Sequence, residues 1–536
     1  RALLQMDLFL LMAACALRGA PLPKNPVYKT LLPAFLVVLA IAFVQWSAPH
    51  SSIGPAGLLP FTASARATGR DLLLWTAYAS LLWSAPQVLA SKATLRRFVW
   101  TLFLLGAFMA VVGIIQRGQG NTAYYGLRPV RRGLPFGPYA NRDHAASMMV
   151  MSALAGLGLL LSRWPEFKAR GGERLADFVA SQAAAFFLLG VVLFGTVSSL
   201  SRGAFNSLFA ALWLTGLSAT VFIKSPRLRR AARVIAVLGI PAYAAFLWFN
   251  PLWIGYIFKT PDLSVALRLS MYRGALNVLH DFPVWGVGLG ALQSAFPAYQ
   301  ERFVAGLVDH VHSDWLEFAV EMGLAGAAVA LAGLAAFFRS ALRAWWTNPS
   351  RTAQCLAGGL CAAVLAFLIH NSAEFSFHIP ANAVIFLTLL CALGSAVAVS
   401  PAAPAKPRAA VWRVPAAAAA LLLCGLAARP AVAWALVWKA ESAAGGERAA
   451  LLHRALRWDD DPATRALLTE DALARAGHQP AQSRAVLGAA MADSPALRPN
   501  GALDPYLIYL EGKLLSGLGR ADDASELFRR QKLLGS

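Results

Sequence analysis

The sequence is poor in charged residues. Of its 536 residues 14% are charged, against about 25% in an average soluble domain, while 58% are hydrophobic and the mean hydropathy is +0.54. Acidic residues are the scarcer sign, with 27 Asp and Glu against 48 Lys and Arg. This composition excludes an ordinary soluble domain of this length and predicts a polytopic membrane protein.

Cysteine is also scarce, and none of the cysteines forms a Cys-x-x-Cys pair. All of them lie in apolar stretches, namely Cys15, Cys355, Cys361, Cys391 and Cys424. The pattern is typical of small buried hydrophobic side chains and implies neither a disulfide framework nor a cysteine metal site. Because the chain begins with Arg1 rather than Met, we expect its true N-terminus to precede this residue.

The net charge of +21 does not indicate nucleic-acid binding. Residues 438–536 contain 13 Lys and Arg and 13 Asp and Glu, so the whole excess lies in the apolar part of the chain. Short basic loops between membrane spans have this distribution because they set the orientation of the spans. We therefore expect membrane lipids as partners and no nucleic acid.

Apolar runs long enough to cross a bilayer recur about twelve times. They lie near residues 3–17, 31–47, 71–91, 98–116, 144–162, 177–200, 203–223, 231–249, 316–338, 353–370, 382–400 and 411–437. The sequence therefore predicts an all-α protein with about twelve transmembrane helices in residues 1–437, and a separate domain in residues 438–536.

The loops between these runs differ in charge on alternate sides. One set of short loops holds 21 Lys and Arg, and the opposite set holds 12, of which 11 are arginine. The positive-inside rule places the first set in the cytoplasm. The long loop at about 250–315 and the C-terminal domain then lie outside, and so does any chemistry that the outer loops carry.

The C-terminal segment is rich in Ala and Leu, charged and helical in period. Residues 472–495 parallel residues 510–530, each with a turn at a glycine, Gly477 or Gly519. This pattern is similar to tetratricopeptide repeats, and an unrelated helical cap is the alternative. In either case we expect an interaction or lid module without chemistry of its own, which offers a surface to a protein partner.

Two histidines, His310 and His312, immediately precede the apolar helix that begins near residue 316. Ionisable groups at a membrane edge are unfavourable, so a cluster of them usually has a function, although an interfacial anchor is the alternative. Glu317 and Glu321 follow one helical turn apart. We expect Glu321 either to orient a partner side chain or to cap a polar contact between helices.

Arginines occur in two further outer segments. Arg202 lies in a very short turn between two spans, where snorkelling to the interface is the alternative explanation. Arg268 and Arg273 share one predicted helix in the long loop. Pro283 and the following Gly-Val-Gly-Leu-Gly string end that helix. Those glycines permit close backbone approach, but no strand precedes them and no P-loop lysine follows. Guanidinium groups bind phosphate oxygens bidentately, so the arginines of these outer segments suit a lipid-linked diphosphate.

A fourth outer segment, Leu368 to Phe386, contains His370, Glu374 and His378 and no basic residue. Glu374 is the other candidate acid or base. The spacings among His310, His312 and these two histidines match no common zinc-ligand pattern, so we predict no metal site.

The order and spacing of these motifs resemble the O-antigen ligase and polymerase family. The motifs are SLSRGAF, R-x₃-Y followed by P-x₂-G-x-G, HVHSDWLEFAVEMGLAG and SAEFSFHIPANA, within about residues 100–400. The segment GLPFGPYANRDHAASMM is also similar, and its Asn141 either lines the site or ends a helix. Members of the family are membrane-embedded glycosyltransferases of the GT-C type in the bacterial inner membrane.

The resemblance implies an inverting, metal-independent transferase that needs no cofactor and faces the periplasm. Its donor is a glycan linked to undecaprenyl diphosphate. Arg202 and Arg268 are implied to hold that diphosphate, and His312 to be the base that activates the acceptor hydroxyl. Arg273, His310, Glu321, Glu374 and Asn141 are expected to bind substrate around them.

Three acceptors remain open at this point. A polymerase extends a lipid-linked repeat unit of O-antigen or exopolysaccharide, a ligase transfers to lipid A-core, and an oligosaccharyltransferase transfers to a protein hydroxyl. The C-terminal repeats favour a polymerase, because bare ligation does not need them. A secondary transporter would show inverted repeats, which this sequence lacks. A non-catalytic assembly scaffold would tolerate loss of the arginines and histidines.

Overall fold

Helices form nearly all of the chain that the structure describes. The structure is a computed structural model and describes residues 1–19, 22–48, 60–120, 123–124, 128–129, 134–172, 174–249, 263–300, 308–398, 410–443, 445–459, 461–478 and 505–535. Within these residues the only strands are β1 (Ala123–Tyr124) and β2 (Arg128–Pro129), which pair antiparallel. The predicted all-α class is therefore confirmed.

The helices that precede the long loop follow the apolar runs of the sequence. They are α1 (Ala2–Arg18), α2 (Leu31–Ser47), α3 (Ala65–Val88), α4 (Lys92–Gly118), α5 (Arg142–Ala169), α6 (Leu175–Ser181), α7 (Ala183–Ser198), α8 (Arg202–Ala219) and α9 (Pro226–Phe249). Short 3₁₀ turns at Pro26–Lys29 and Thr220–Phe222 connect some of them.

The remaining helices begin within the long loop. They are α10 (Leu263–Asp281), α11 (Leu292–Ala295), α12 (Asp314–Thr347), α13 (Arg351–His370), α14 (Pro380–Val397), α15 (Ala410–Glu441), α16 (Gly445–Trp458), α17 (Pro462–His478), α18 (Pro505–Gly517) and α19 (Ala521–Gly535). Two 3₁₀ turns, Phe296–Ala298 and Ser376–His378, complete this part. The loop helix expected to hold Arg268 and Arg273 is α10.

Seven of the described helices are long and apolar enough to cross a membrane. They are α4, α5, α8 with its 3₁₀ turn, α12, α13, α14 and α15, and the pair α6 and α7, bent by 77°, is an eighth if it counts as one span. The expected number of twelve is not confirmed. Helices α1 and α2 have 17 residues each, and the first turns of α3 and α9 are charged. The fold is nevertheless that of a multi-pass membrane protein.

Helix α5 lies at the centre of the bundle and packs against α13 through glycine. A Cβ on Gly158 of α5 would lie only 2.6 Å from the Cα of Gly359 on α13. Such close approach of backbones is how helices associate in a membrane, where apolar burial provides little drive. Phe103, Leu154, Leu360 and the neighbouring side chains of α4, α5, α13 and α14 form the main core.

Helix α12 is broken close to its beginning at Gly323. The φ of 64° and ψ of −179° at this residue belong to a backbone region that essentially only glycine occupies. The glycine loop, residues 286–290, fills the break, and the Gly288 N–H donates a hydrogen bond of 2.9 Å to the carbonyl oxygen of Glu321. The glycine string of the sequence thus serves close backbone approach to α12, as expected from its composition.

Replacement of Gly323 by Ala is expected to destabilise the protein by about 1–3 kcal/mol from backbone strain, with a further cost from contact. The added Cβ would collide with the carbonyl group of Val284. The measurement is thermal unfolding in detergent, with Gly190→Ala as the control. Gly190 is in α7, and a Cβ added there would meet no atom within 4 Å, so the Tm of this variant should not fall. Equal Tm values for the two variants would contradict the strained break.

The C-terminal domain consists of helix pairs that pack through leucines. Leu451 and Leu452 of α16 are buried with Leu468 of α17, and α18 pairs with α19. Arg429 of α15 donates to the carbonyl oxygen of Trp458 at 3.2 Å. Residues 479–504 lie outside the described part of the chain, so the predicted repeat is not tested there and the tetratricopeptide assignment is not confirmed.

Candidate active site

Two left-handed residues mark the segments that hold the predicted site. Leu200 and His312 both have φ of 54° and are the only non-glycine residues with positive φ in the described ranges. Each directly precedes a serine that caps a helix, so Arg202 opens α8 and His312 stands just ahead of α12. Non-glycine residues adopt this conformation at a cost, which is often found at functional positions.

Glu374 joins two of the predicted catalytic residues. Its Oε1 forms an ion pair with the guanidinium group of Arg268, and its Oε2 lies 3.4 Å from Nδ1 of His312. The Glu374 side chain is 3% exposed, whereas Arg268 and His312 are 31% and 28% exposed. Tyr272, one helical turn after Arg268, donates from its hydroxyl to the His312 carbonyl oxygen at 2.9 Å.

The electrostatics of Glu374 favour its charged form. Burial by itself raises the pKa of this carboxyl group, but the hydrogen bond with His312 and the charge of Arg268 outweigh burial and lower the pKa to about 2. The carboxylate therefore accepts a hydrogen bond from Nδ1 of His312. With that hydrogen on Nδ1, Nε2 is the ring nitrogen available to accept a proton.

A second carboxylate network lies beside the first. The His310 Nδ1 is 2.7 Å from Oε1 of Glu317, whose Oε2 accepts from the Val311 N–H at 3.1 Å. His378 lies between two carboxylates, with Nδ1 2.7 Å from Asp314 and Nε2 3.3 Å from Glu317. Burial alone lowers the pKa of His378, but Glu317 and Asp314 raise it to about 10. His378 is therefore a cation at neutral pH.

Phe375 links the two networks. Its ring stacks on His310 with centroids 4.4 Å apart and meets the edge of His312 at 4.9 Å. His144 of α5 also makes an edge contact with Phe375, at 4.5 Å. Three histidines from two distant segments of the sequence thus surround one aromatic ring next to Glu374.

The residue after Arg202, Gly203, places the start of α8 near this cluster. A Cβ on Gly203 would lie 3.2 Å from Cε1 of His370, so the start of α8 contacts the end of α13. His370 is 2% exposed, and neither of its ring nitrogens has a hydrogen-bond partner among the described residues. His370 ends α13 and lies four residues before Glu374. The structure therefore brings the beginning of α8 to the same end of the bundle as Arg268 and His312.

The other predicted site residues occupy different positions. Asn141 caps α5, and its side chain accepts from the Asp143 N–H at 2.9 Å. Arg273 is exposed on α10. Glu321 is buried and faces the glycine loop, where its Oε1 accepts from the Leu292 N–H at 3.3 Å. Their roles in binding substrate stay predictions.

The sequence missed the residues that hold the second network. Glu317 forms a hydrogen bond with His310, which is the orienting role considered for Glu321 one turn later. Asp314 and His378 contact each other although they lie 64 residues apart in the sequence. The only sequence signal was the clustering of ionisable residues at helix starts and in the loop before α14.

Two cavities meet at His378. The apolar groove is lined by side chains that include Val38, Trp75, Phe318, Leu334 and Leu390, with Asp314 and His378 at its polar end. The polar cavity is lined by Arg70, Gln293, Asp309, His310, Glu317, Glu321 and His378 among others. A substrate with an apolar and a polar part matches this pair of cavities.

The donor set of the second network raises the question of a metal. His310, Glu317 and His378 present ligand atoms that lie within 4.8 Å of one another, so among the described residues this group could hold a cation. The charge of His378, close to both Asp314 and Glu317, already compensates the carboxylates. The geometry therefore satisfies the carboxylates by internal hydrogen bonds.

Fold and site together define a multi-pass membrane protein with a polar site where α5, α8 and α12 begin and α13 ends. Residues 145–331, about a third of the chain, match the family model described as O-Antigen ligase. This match supports an enzyme with a membrane glycan-transfer role in O-antigen assembly. A search of the curated proteins finds no match.

The matched segment contains most of the predicted site. Arg202, Arg268, Arg273, His310, His312 and Glu321 lie inside it. Asn141 precedes it and Glu374 follows it, so the bridge between Arg268 and His312 comes from outside the matched residues.

Proposed function

We propose that the protein transfers a glycan from an undecaprenyl-diphosphate donor to a hydroxyl group of an acceptor glycan, on the periplasmic face of the bacterial inner membrane. The observation that carries this proposal is the bridge of Glu374 between Arg268 and His312. It combines a phosphate-binding cation and an oriented base at one end of the membrane helices.

In the proposed reaction the acceptor oxygen attacks the anomeric carbon of the donor sugar from the side opposite the diphosphate. The new C–O bond forms, the C–O bond to the diphosphate breaks with its electron pair, and configuration inverts. The hydroxyl proton moves to Nε2 of His312, because Glu374 holds the opposite nitrogen. Arg268 and Arg202 stabilise the leaving diphosphate, and a guanidinium group has donors beyond those that one carboxylate takes.

The two cavities support a lipid-linked donor, whose chain occupies the apolar groove, and a glycan acceptor in the polar cavity. The apolar groove suits a polyprenyl chain, since Trp75, Phe318 and Leu334 line it, and its polar end reaches His378. From there the polar cavity continues past His310 and Glu317, whose carboxylate and imidazole groups suit sugar hydroxyls.

The proposed reaction needs no metal ion. The charges it requires are supplied by arginine at the leaving group and by the histidine–carboxylate pairs at the acceptor. Addition of a chelator to the purified protein should leave transfer unchanged. Loss of activity that a divalent ion restores would show that His310, Glu317 and His378 hold a metal.

The acceptor is tested by reconstitution of the purified protein with an undecaprenyl-diphosphate glycan. We expect transfer to lipid-linked repeat unit, which defines a polymerase, or to lipid A-core, which defines a ligase. A pilin-like protein is the third acceptor and tests the oligosaccharyltransferase alternative. Products are separated by mass and linkage. Absence of transfer to all three acceptors, with a folded protein, would contradict the proposed function.

A further inference from the structure

The C-terminal domain contacts the membrane domain through four carboxylate–guanidinium contacts. The acidic corner, Asp459 and Asp461, lies between α16 and α17, and the arginine pair, Arg66 and Arg70, lies in the first turns of α3. Arg66 is 2.9 Å from Asp459 and 3.5 Å from Asp461, and Arg70 is 2.8 Å and 3.1 Å from the same two residues. Two carboxylates thus occupy a site formed by two guanidinium groups.

One member of the arginine pair, Arg70, is part of the wall of the polar cavity. Arg70 lines this cavity together with His310 and Glu317, and Arg66 is one helical turn earlier on the same side of α3. The beginning of α3 adds the positive end of a helix dipole at this place. An anion on the arginine pair would therefore lie beside a cavity whose other groups suit sugar hydroxyls.

An anion that binds the arginine pair more strongly can displace the acidic corner from it. The four side chains are between 19% and 43% exposed, and such ion pairs are individually weak and are screened by salt. Guanidinium groups bind phosphate bidentately through more donors and with more charge than a carboxylate offers. Phosphate and the acidic corner cannot occupy the arginine pair together.

We propose that the arginine pair binds a phosphate group of the acceptor, and that the acidic corner occupies this site when no acceptor is bound. Acceptor binding then releases the C-terminal domain from α3 and places the acceptor sugar in the polar cavity next to His310. This inference rests on the proposed glycan transfer. It assigns the acceptor phosphate to a site separate from the donor diphosphate at Arg202 and Arg268.

Binding is tested without catalysis by hydrogen exchange of the full-length protein in nanodiscs, with inorganic pyrophosphate as the probe. Pyrophosphate should increase amide exchange of the wild type in residues 445–478, where the acidic corner lies. The Asp459→Asn/Asp461→Asn variant should show the same increase in the absence of pyrophosphate. Sodium chloride at matched ionic strength controls for screening. Unchanged exchange in the wild type across the pyrophosphate titration, beyond the change that sodium chloride causes, would overturn the proposal.

The kinetic test compares the acceptor KM of four proteins: the wild type, Asp459→Asn/Asp461→Asn, Arg66→Gln/Arg70→Gln and the combined variant. Removal of the acidic corner should lower KM, about three- to tenfold, with kcat unchanged, because the acceptor no longer displaces it. Removal of the arginine pair should raise KM in both backgrounds. If the arginines only hold the domain, their loss has no effect once the acidic corner is neutral, and the proposal is wrong.

The source of the phosphate is resolved by the choice of acceptor. Lipid-linked repeat unit, phosphorylated lipid A-core and dephosphorylated lipid A-core are compared, and only phosphate-bearing acceptors should respond to the arginine substitutions. The control pair is Arg520 and Asp523, an exposed ion pair of the same domain, whose replacement by Gln and Asn should change neither KM nor exchange. Absence of all transfer in the wild type contradicts the proposed function alone, since the exchange result stands without catalysis.

Discussion

Replacement of His312 by Asn is expected to lower kcat for glycan transfer by about 10²–10⁴-fold while leaving the fold intact. Asparagine adopts the left-handed backbone conformation of His312 with little penalty, so the turn before α12 is kept. Its amide cannot accept the proton of the acceptor hydroxyl. The measurements are single-turnover transfer from the purified donor and the Tm of the same preparation. His312→Ala should lose the same activity and some stability as well.

His280 provides the matched control for this prediction. Its side chain is 88% exposed at the end of α10, with Nδ1 3.1 Å from Asp281, so His280→Asn should leave both transfer and Tm unchanged. His310→Asn separates the two neighbouring histidines, because His310 contacts Glu317 rather than Glu374. Full activity of His312→Asn together with loss in His310→Asn would transfer the role of base to His310.

The sequence alone predicted the position of His312 because its motif is local. Short stretches of sequence show the polar residues before an apolar helix, the serine that caps the helix and the arginines in the outer segments. The structure places Glu374 between Arg268 and His312. Each of these residues could be recognised as a candidate from its own short segment, because an ionisable side chain is unusual beside an apolar helix. The helical class of the chain followed from composition in the same way.

The second network could not be predicted, because it depends on tertiary packing. His378 contacts Asp314 and Glu317 only because the loop before α14 folds over the start of α12, and no local pattern encodes that contact. The break at Gly323 is similar, since the glycine loop that completes it lies more than 30 residues earlier. The docking of Asp459 and Asp461 on Arg66 and Arg70 joins residues almost 400 positions apart.

Replacement of Arg268 by Ala is expected to cost both activity and stability. Glu374 remains buried without its cation, and loss of one partner of a buried ion pair typically costs about 3–5 kcal/mol. Since Arg268 is 31% exposed, we expect the lower end of that range. Transfer should fall by about 10²-fold or more, because the leaving diphosphate loses a guanidinium group. Tm and single-turnover rates measure the two effects separately.

The pH dependence of stability follows from the lowered pKa of Glu374. The pKa of this group is lowered from its usual value of 4.5 to about 2, so the stability it contributes is complete above about pH 5 and is lost as the pH falls towards 2. Arg268→Ala removes one cause of the lowering. The difference in Tm between the wild type and this variant should therefore be largest at neutral pH and should shrink as the pH falls towards 3.

A second substitution distinguishes the loss of charge balance from the loss of catalysis. Glu374→Gln removes the uncompensated carboxylate, so the double variant Arg268→Ala/Glu374→Gln should be more stable than Arg268→Ala. Its transfer should be no faster than that of Arg268→Ala, since the diphosphate still lacks the guanidinium group and His312 now loses the Glu374 carboxylate. Arg520→Ala is the control, because Arg520 is an exposed arginine of the C-terminal domain. Recovery of transfer in the double variant would show that Arg268 serves only to balance Glu374, and the proposed contact with the donor diphosphate would be wrong.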